Sequence, residues 1–230
     1  MDKRLTVIIP VYNEEKTIAQ VLARVAALNF LGWQKEIIVV DDGSRDNSKV
    51  KTQNAKQQYK IQNLQILEHE KNQGKGAAIK TGLKHATGEA VVIQDADLEY
   101  DPAEIQSLLS EFDGRTAIYG SRNLHPERRG YPHYVLGVWL LTQLINLLYR
   151  ANLTDAYTGY KLFPLSLLKS LDIESHGFEF EAEVTCKILK SGYNIKEVPI
   201  RYFPRKFTEG KKIRFEDGLI GIWTILKNRN

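Results

Sequence analysis

Carboxylates gather at three places in this chain, each just after a short apolar run. Asn13-Glu14-Glu15 follows Val7-Ile8-Ile9, Asp41-Asp42-Gly43-Ser44 follows Ile37 to Val40, and Asp95-Ala96-Asp97-Leu98-Glu99 follows Ala90 to Ile93. If these runs are strands of one parallel sheet, all three clusters share its carboxyl edge, where open α/β sheets bind ligands. Crowding acids there costs repulsion, so the pattern calls for a bound cation, and a hard divalent ion suits oxygen donors. Asp95 and Asp97 are spaced so that in extended chain both side chains point the same way. Taken alone, Asp42 and Ser44 read as a turn, with Asp46 capping the next helix. It is the recurrence on one edge that favours a site.

A lysine between glycines adds an opposite charge. In Asn72-Gln73-Gly74-Lys75-Gly76, the glycines let backbone N–H groups and an ammonium approach a phosphate ahead of a helix. The segment lacks the spacing and the Lys-Ser/Thr ending of a P-loop, and as a bare pattern it reads equally as a turn and helix start. Six basic residues and one acid, Glu209, fall between Arg201 and Arg214, so cationic charge concentrates late in the chain.

The elements that must position these groups follow from periodicity. Strands are predicted at Val7 to Ile9, Ile37 to Val40, Leu64 to Leu67, Ala90 to Ile93 and Ala117 to Tyr119. Helices at Thr17 to Ala27, Ser48 to Tyr59, Ala77 to His85 and Pro102 to Leu109 lie between them. This is the alternation of βαβ units on a mainly parallel sheet. From Arg122 to Tyr134 the composition is that of a long loop. Helices are then predicted at Tyr134 to Arg150, Pro164 to Leu171 and Phe178 to Leu189, a strand at Ile195 to Tyr202, and a final helix ending at Lys227. The helix from Tyr134 gathers Trp139, Leu140, Leu144, Leu147 and Leu148. It reads either as a core helix or as one lying in a membrane interface.

Composition narrows the class. Of 230 residues, 43% are hydrophobic and 26% charged, as in an ordinary globular domain. The lone cysteine, Cys186, rules out an internal disulfide and cysteine zinc sites, and a reducing cytosol is the default. A net charge of +4 does not by itself point to nucleic acid, and none is expected as a partner. The start carries no signal peptide, and no apolar stretch reaches the roughly 20 residues needed to cross a bilayer.

Together, Val7 through Glu15, Val39 through Ser44, Asn72 through Gly76 and Asp95-Ala96-Asp97 resemble family 2 glycosyltransferases of the GT-A fold, in order and spacing. Gly120-Ser121-Arg122, Asp155 through Phe163, and Pro204-Arg205 with Glu209-Gly210-Lys211 resemble the branch that makes polyprenyl-phosphate sugars, such as dolichyl-phosphate mannose synthases. The resemblance implies one catalytic domain over 1–230, with a nucleotide-sugar half at 1–120 and an acceptor half with an interfacial helix at 121–230. It implies that Pro10, Tyr12, Glu14, Asp42 and Lys75 bind the nucleoside diphosphate. Asp95 and Asp97, with Glu99 where some relatives have Gln, would hold Mg²⁺ or Mn²⁺. Arg122, Arg205 and Lys211 would grip phosphates, while Asp155 and Glu183 would meet sugar hydroxyls. The donor would be GDP-mannose or UDP-glucose and the acceptor a polyprenyl phosphate at the cytoplasmic face of a membrane. Many bacterial relatives continue into transmembrane helices. An end at Asn230 therefore implies either peripheral attachment, directly or through a membrane-anchoring partner, or a piece of a longer chain.

Overall fold

The computed structural model describes residues 3–30, 32–127, 131–205 and 215–229. Its centre is a sheet of seven strands in the order β3-β2-β1-β4-β6-β5-β7. The strands are β1 (Lys3–Val11), β2 (Trp33–Asp41), β3 (Leu64–Glu68), β4 (Ala90–Ile93), β5 (Ala117–Ser121), β6 (Lys161–Pro164) and β7 (Ile195–Pro199). Neighbours run parallel except at β6, which lies antiparallel to both β4 and β5. Period-two alternation sends Leu5, Val7 and Ile9 to one face and Ile8 to the other, with Ile37 and Val39 opposed in the same way to Ile38 and Val40.

Helices α1 (Ile18–Ala27), α2 (Ser48–Gln58) and α4 (Ile105–Ser110) pack on the first face. The second is covered by α3 (Lys75–His85), α6 (Leu165–Ser170) and α7 (Phe180–Lys190). Helix α1 shows why: Ile18, Val21, Leu22 and Val25 recur at helical spacing and are all buried, each contributing roughly 1.5–3 kcal/mol. Helix α4 starts after a 3₁₀ turn, Pro102–Glu104, capped by Asp101, whose carboxylate accepts the Ala103 N–H.

Two further helices, α5 (Pro132–Tyr149) and α8 (Phe215–Lys227), form a smaller cluster with α7 around Ile145, Ala182, Cys186 and Ile225. Tyr149 donates its hydroxyl hydrogen to the Ile225 carbonyl at 2.9 Å. Leu144 and Leu148 turn inward, whereas Val135, Leu136, Trp139, Leu140 and Leu147 are exposed. One side of α5 is therefore a core face, and the other leaves apolar side chains exposed. On α8, Leu219, Ile220, Ile222, Trp223 and Leu226 are likewise exposed. Among the described residues, no helix is long and apolar enough to cross a membrane.

The predicted strands and helices appear near their expected bounds. The addition is β6, four buried residues, the first three of which carry no predicted element and the last of which, Pro164, is expected to open a helix. It carries Lys161 into the middle of the sheet, directly beside the site.

Candidate active site

Strands β1, β2 and β4 end side by side, and their carboxyl ends present the three acidic clusters on one edge. Pro10 is the penultimate residue of β1 in register with Val40, and Tyr12 follows immediately. The turn after β2 is made by Asp41, whose carboxylate accepts the Ser44 N–H at 2.7 Å. Ser44 Oγ accepts the Asn13 N–H, and Asp46 accepts N–H bonds from Ser48 and Glu15, so the loops after β1 and β2 lock together.

Asp42 is 2% exposed and its carboxylate is engaged within the protein. It accepts the N–H of Gln73 at 2.9 Å and of Gly74 at 2.7 Å, and lies 2.7 Å from His69 Nδ1, whose other ring nitrogen meets Thr81. Asp42 thus shapes the loop that presents Lys75. Gly74 sits at φ +100°, and a Cβ there would lie 2.3 Å from the His176 carbonyl, so only glycine fits. Ala77 N–H donates to that same carbonyl, clamping the start of α3.

Lys75 Nζ lies 2.7 Å from Asp95 and 3.1 Å from Glu181 at the start of α7. Burial disfavours its charge, but Asp95 and Glu181 outweigh burial and raise its pKa. Glu181 also pairs with Lys161, which is fully buried, donates to the Thr158 carbonyl and stands 4.8 Å from the centre of the Tyr119 ring. Burial lowers the Lys161 pKa against the pull of Glu181. The Glu181 carboxyl, opposed by burial, is held low by Lys161 and Lys75.

Arg205 serves the other side of the crevice. Its Nη1 is 3.0 Å from Glu14 Oε2 and its Nη2 is 3.0 Å from Asp97 Oδ2. Burial, reinforced by the charges of Asp95 and Glu99, pushes Asp97 up to about 7 against the attraction of Arg205. Glu99 accepts the Tyr202 hydroxyl at 2.9 Å and the Arg205 N–H at 2.8 Å. Glu99, expected in a metal shell, uses its two oxygens here to fasten residues 202–205 beside the crevice.

Arg122 and Asp155, assigned separate roles from sequence, form one unit. Arg122 donates from Nε and Nη2 to the two Asp155 oxygens, and its guanidinium lies 5.1 Å from the Tyr202 ring centre. Asp155, expected at a sugar hydroxyl, is fully buried and orients Arg122. Glu183, also expected at a sugar hydroxyl, is 2% exposed. It accepts the N–H groups of Glu174 and Ser175 and pairs with Lys187, closing the loop before α7. Two positions apart on a helix is about 200°, which turns Glu183 away and Glu181 in. Lys211 lies outside the described residues.

Asp95 and Asp97 remain as hard oxygen donors. Among the described residues no three His, Cys, Asp or Glu side chains form a metal cage. Two carboxylates still fit Mg²⁺ or Mn²⁺, since such ions are commonly held by one or two carboxylates and complete their shell with substrate phosphate and water. Beside the β2 end lies a cleft of about 380 Å³ lined by residues including Asp41, Ser44, Lys71 and Asn72.

Comparison with known proteins identifies the family and the fold. The model of glycosyl transferase family 2 aligns with residues 6–171. A low-salt glycan biosynthesis hexosyltransferase, Agl6 of Haloferax volcanii, is 30% identical over 220 residues, 93% of this chain and 51% of that protein. The chain thus spans about half the length of this curated relative. Among solved structures, glucosyl-3-phosphoglycerate synthase of Mycobacterium tuberculosis, in complex with Mn²⁺, UDP and phosphoglyceric acid, superposes with a TM-score of 0.76 at 19% identity, covering 99% of this chain and 79% of that one. The same protein in complex with Mg²⁺ and UDP gives a TM-score of 0.73, with 98% and 79% covered. At that identity the likeness establishes the fold.

Proposed function

The chain belongs to glycosyl transferase family 2, and from that premise we propose that it moves a hexose from a GDP- or UDP-sugar to a polyprenyl phosphate, with inversion and with Mg²⁺ or Mn²⁺. The observation that carries the transfer chemistry is the crevice itself, where Asp95 and Asp97 stand between Lys75 and Arg205. Transfer builds oxocarbenium character on the sugar while a nucleoside diphosphate departs with added negative charge. A bound divalent ion would neutralise part of that charge. Asp95 and Asp97 would hold the ion. Lys75, fixed at the start of α3, faces the diphosphate, and Pro10, Tyr12 and Glu14 flank the nucleoside, with Asp42 acting through the loop it shapes. Arg205 and Arg122 would meet acceptor phosphate through guanidinium N–H groups not already given to Glu14, Asp97 and Asp155. A phosphate acceptor is already ionised at neutral pH, so no general base is assigned.

The lipid acceptor is supported by the exposed apolar side chains of α5 and α8, Trp139 and Trp223 among them, a surface suited to a polyprenyl tail at a membrane interface. A non-lipid acceptor is the second reading, favoured by the phosphoglyceric acid bound to the structural neighbour. Incubation with labelled UDP- and GDP-hexoses, Mn²⁺ or Mg²⁺ and a short polyprenyl phosphate should yield a labelled lipid. Transfer to a soluble phosphate or saccharide instead would replace the lipid reading with the second one.

A further inference from the structure

An alternating row of charges runs from the protein interior to the crevice. Lys161 on β6 is fully buried between the Tyr119 ring and the Thr158 carbonyl, Glu181 lies beside it, Lys75 bridges Glu181 and Asp95, and Asp95 faces the site. The interior end is expensive. A buried ion pair gains little over apolar side chains of the same shape, and lysine is rarely buried in full unless paired. Stability alone is a poor reason for Lys161 and Glu181 to be there.

What the pair provides is position. Each Glu181 oxygen faces a different lysine, Oε1 to Lys75 and Oε2 to Lys161, so the carboxylate cannot rotate without giving up one of them. Glu181 also sits in the first turn of α7, where its charge is favoured by the helix dipole. Lys75 has a long, flexible stem, and with Asp95 as its sole anchor it would follow that carboxylate whenever Asp95 moved to a ligand. Held from behind, its ammonium keeps one place.

We infer that Glu181, itself fixed by Lys161, is a positioning residue that holds the Lys75 ammonium ready for the departing diphosphate. This rests on the reading of Lys75 as the cation that meets the diphosphate. It adds two residues that the sequence did not single out.

The test uses UDP and GDP, each with Mn²⁺, as calorimetric probes of the wild-type chain and of four variants: Lys75→Ala, Lys161→Met, Glu181→Gln and the double variant Lys161→Met/Glu181→Gln. The double variant removes one charge of each sign from the interior, so it should melt near the wild-type temperature. It should bind the preferred nucleotide about tenfold more weakly, approaching Lys75→Ala, with a matching fall in kcat in any transfer assay. Lys161→Met alone leaves Glu181 on Lys75 and should lose far less affinity. A folded double variant that binds as tightly as wild type, beside a weakened Lys75→Ala, overturns the positioning role. If Lys75→Ala itself binds normally, or wild type binds neither nucleotide, the underlying reading of Lys75 fails and the inference with it. Should the double variant melt early, Glu181→Asp keeps the charge but shortens its reach; it should lose affinity at an unchanged melting temperature, and undiminished binding overturns the inference equally.

Discussion

Arg122 and Asp155 meet in a two-pronged pair, with Nε to Oδ2 and Nη2 to Oδ1 both at 2.7 Å, and the Arg122 N–H adds a third bond to the same carboxylate at 3.0 Å. Behind it, Glu197 accepts the Thr154 and Asp155 N–H groups and so fixes the acid from the far side. Asp155→Asn leaves a mostly buried guanidinium without its counter-charge and should cost about 3 kcal/mol. Arg122→Lys loses the paired donors and should also destabilise. A double-mutant cycle read by urea denaturation should give a coupling of about 1.5 kcal/mol or more. Simple additivity of the two losses would show that the pair does not act as a unit.

Arg205 occupies Asp97, one of the two carboxylates proposed to hold the metal ion. Its guanidinium bonds Asp97 and Glu14 while its backbone N–H is held by Glu99. Replacing it with methionine should therefore strengthen binding of Mn²⁺ to the nucleotide-free protein by roughly fivefold, equivalent to about 1 kcal/mol for a partly exposed pair. Electron paramagnetic resonance of free Mn²⁺ reads this directly. Asp97→Asn should weaken Mn²⁺ binding and abolish turnover. Unchanged Mn²⁺ affinity in Arg205→Met would mean that the ion and the guanidinium do not compete for Asp97.

Much of this was legible in the chain. The parallel strands announce themselves because buried β-branched runs alternate with helical spacing, and the strand-end acids follow from them. Lys161-Leu162-Phe163-Pro164 was not legible as β6, because four residues are too few to show a period and their partners, β4 and β5, lie far away in sequence. The same blindness hid Lys161, whose burial only the sheet order reveals. Glu181 is not legible as a site residue, because nothing in the sequence fixes the phase of α7. A helix turned by two positions exchanges its buried and site-facing acids.

Gly159 makes room for Asp95. A Cβ at this position would lie 2.5 Å from Asp95 Oδ2 and 3.1 Å from Tyr100, while Asp95 is tethered on its other side by Lys75. Gly159→Ala should displace the carboxylate and lower kcat by roughly ten- to a hundredfold, since an ångström of misplacement has that effect. Far-ultraviolet circular dichroism should stay unchanged. Wild-type kcat in this variant would show that Asp95 is free to move without consequence.

Glu183 predicts how stability varies with pH. Burial alone would raise its pKa. The N–H groups of Glu174 and Ser175 and the Lys187 ammonium outweigh burial and hold the carboxyl below its usual range. A folded-state pKa below the unfolded value of about 4.3 means that the charged form contributes stability above that pH. The contribution is lost as pH falls through the folded value. Glu183→Gln should cost about 1–3 kcal/mol at neutral pH, because charge-assisted bonds are replaced by weaker ones. The variant should also lose less stability than wild type between about pH 5 and pH 3. Urea midpoints across that range measure both effects. Parallel acid limbs for the two proteins would show that Glu183 titrates alike in the folded and unfolded states, and would leave the closing of the 174–175 loop to its backbone contacts.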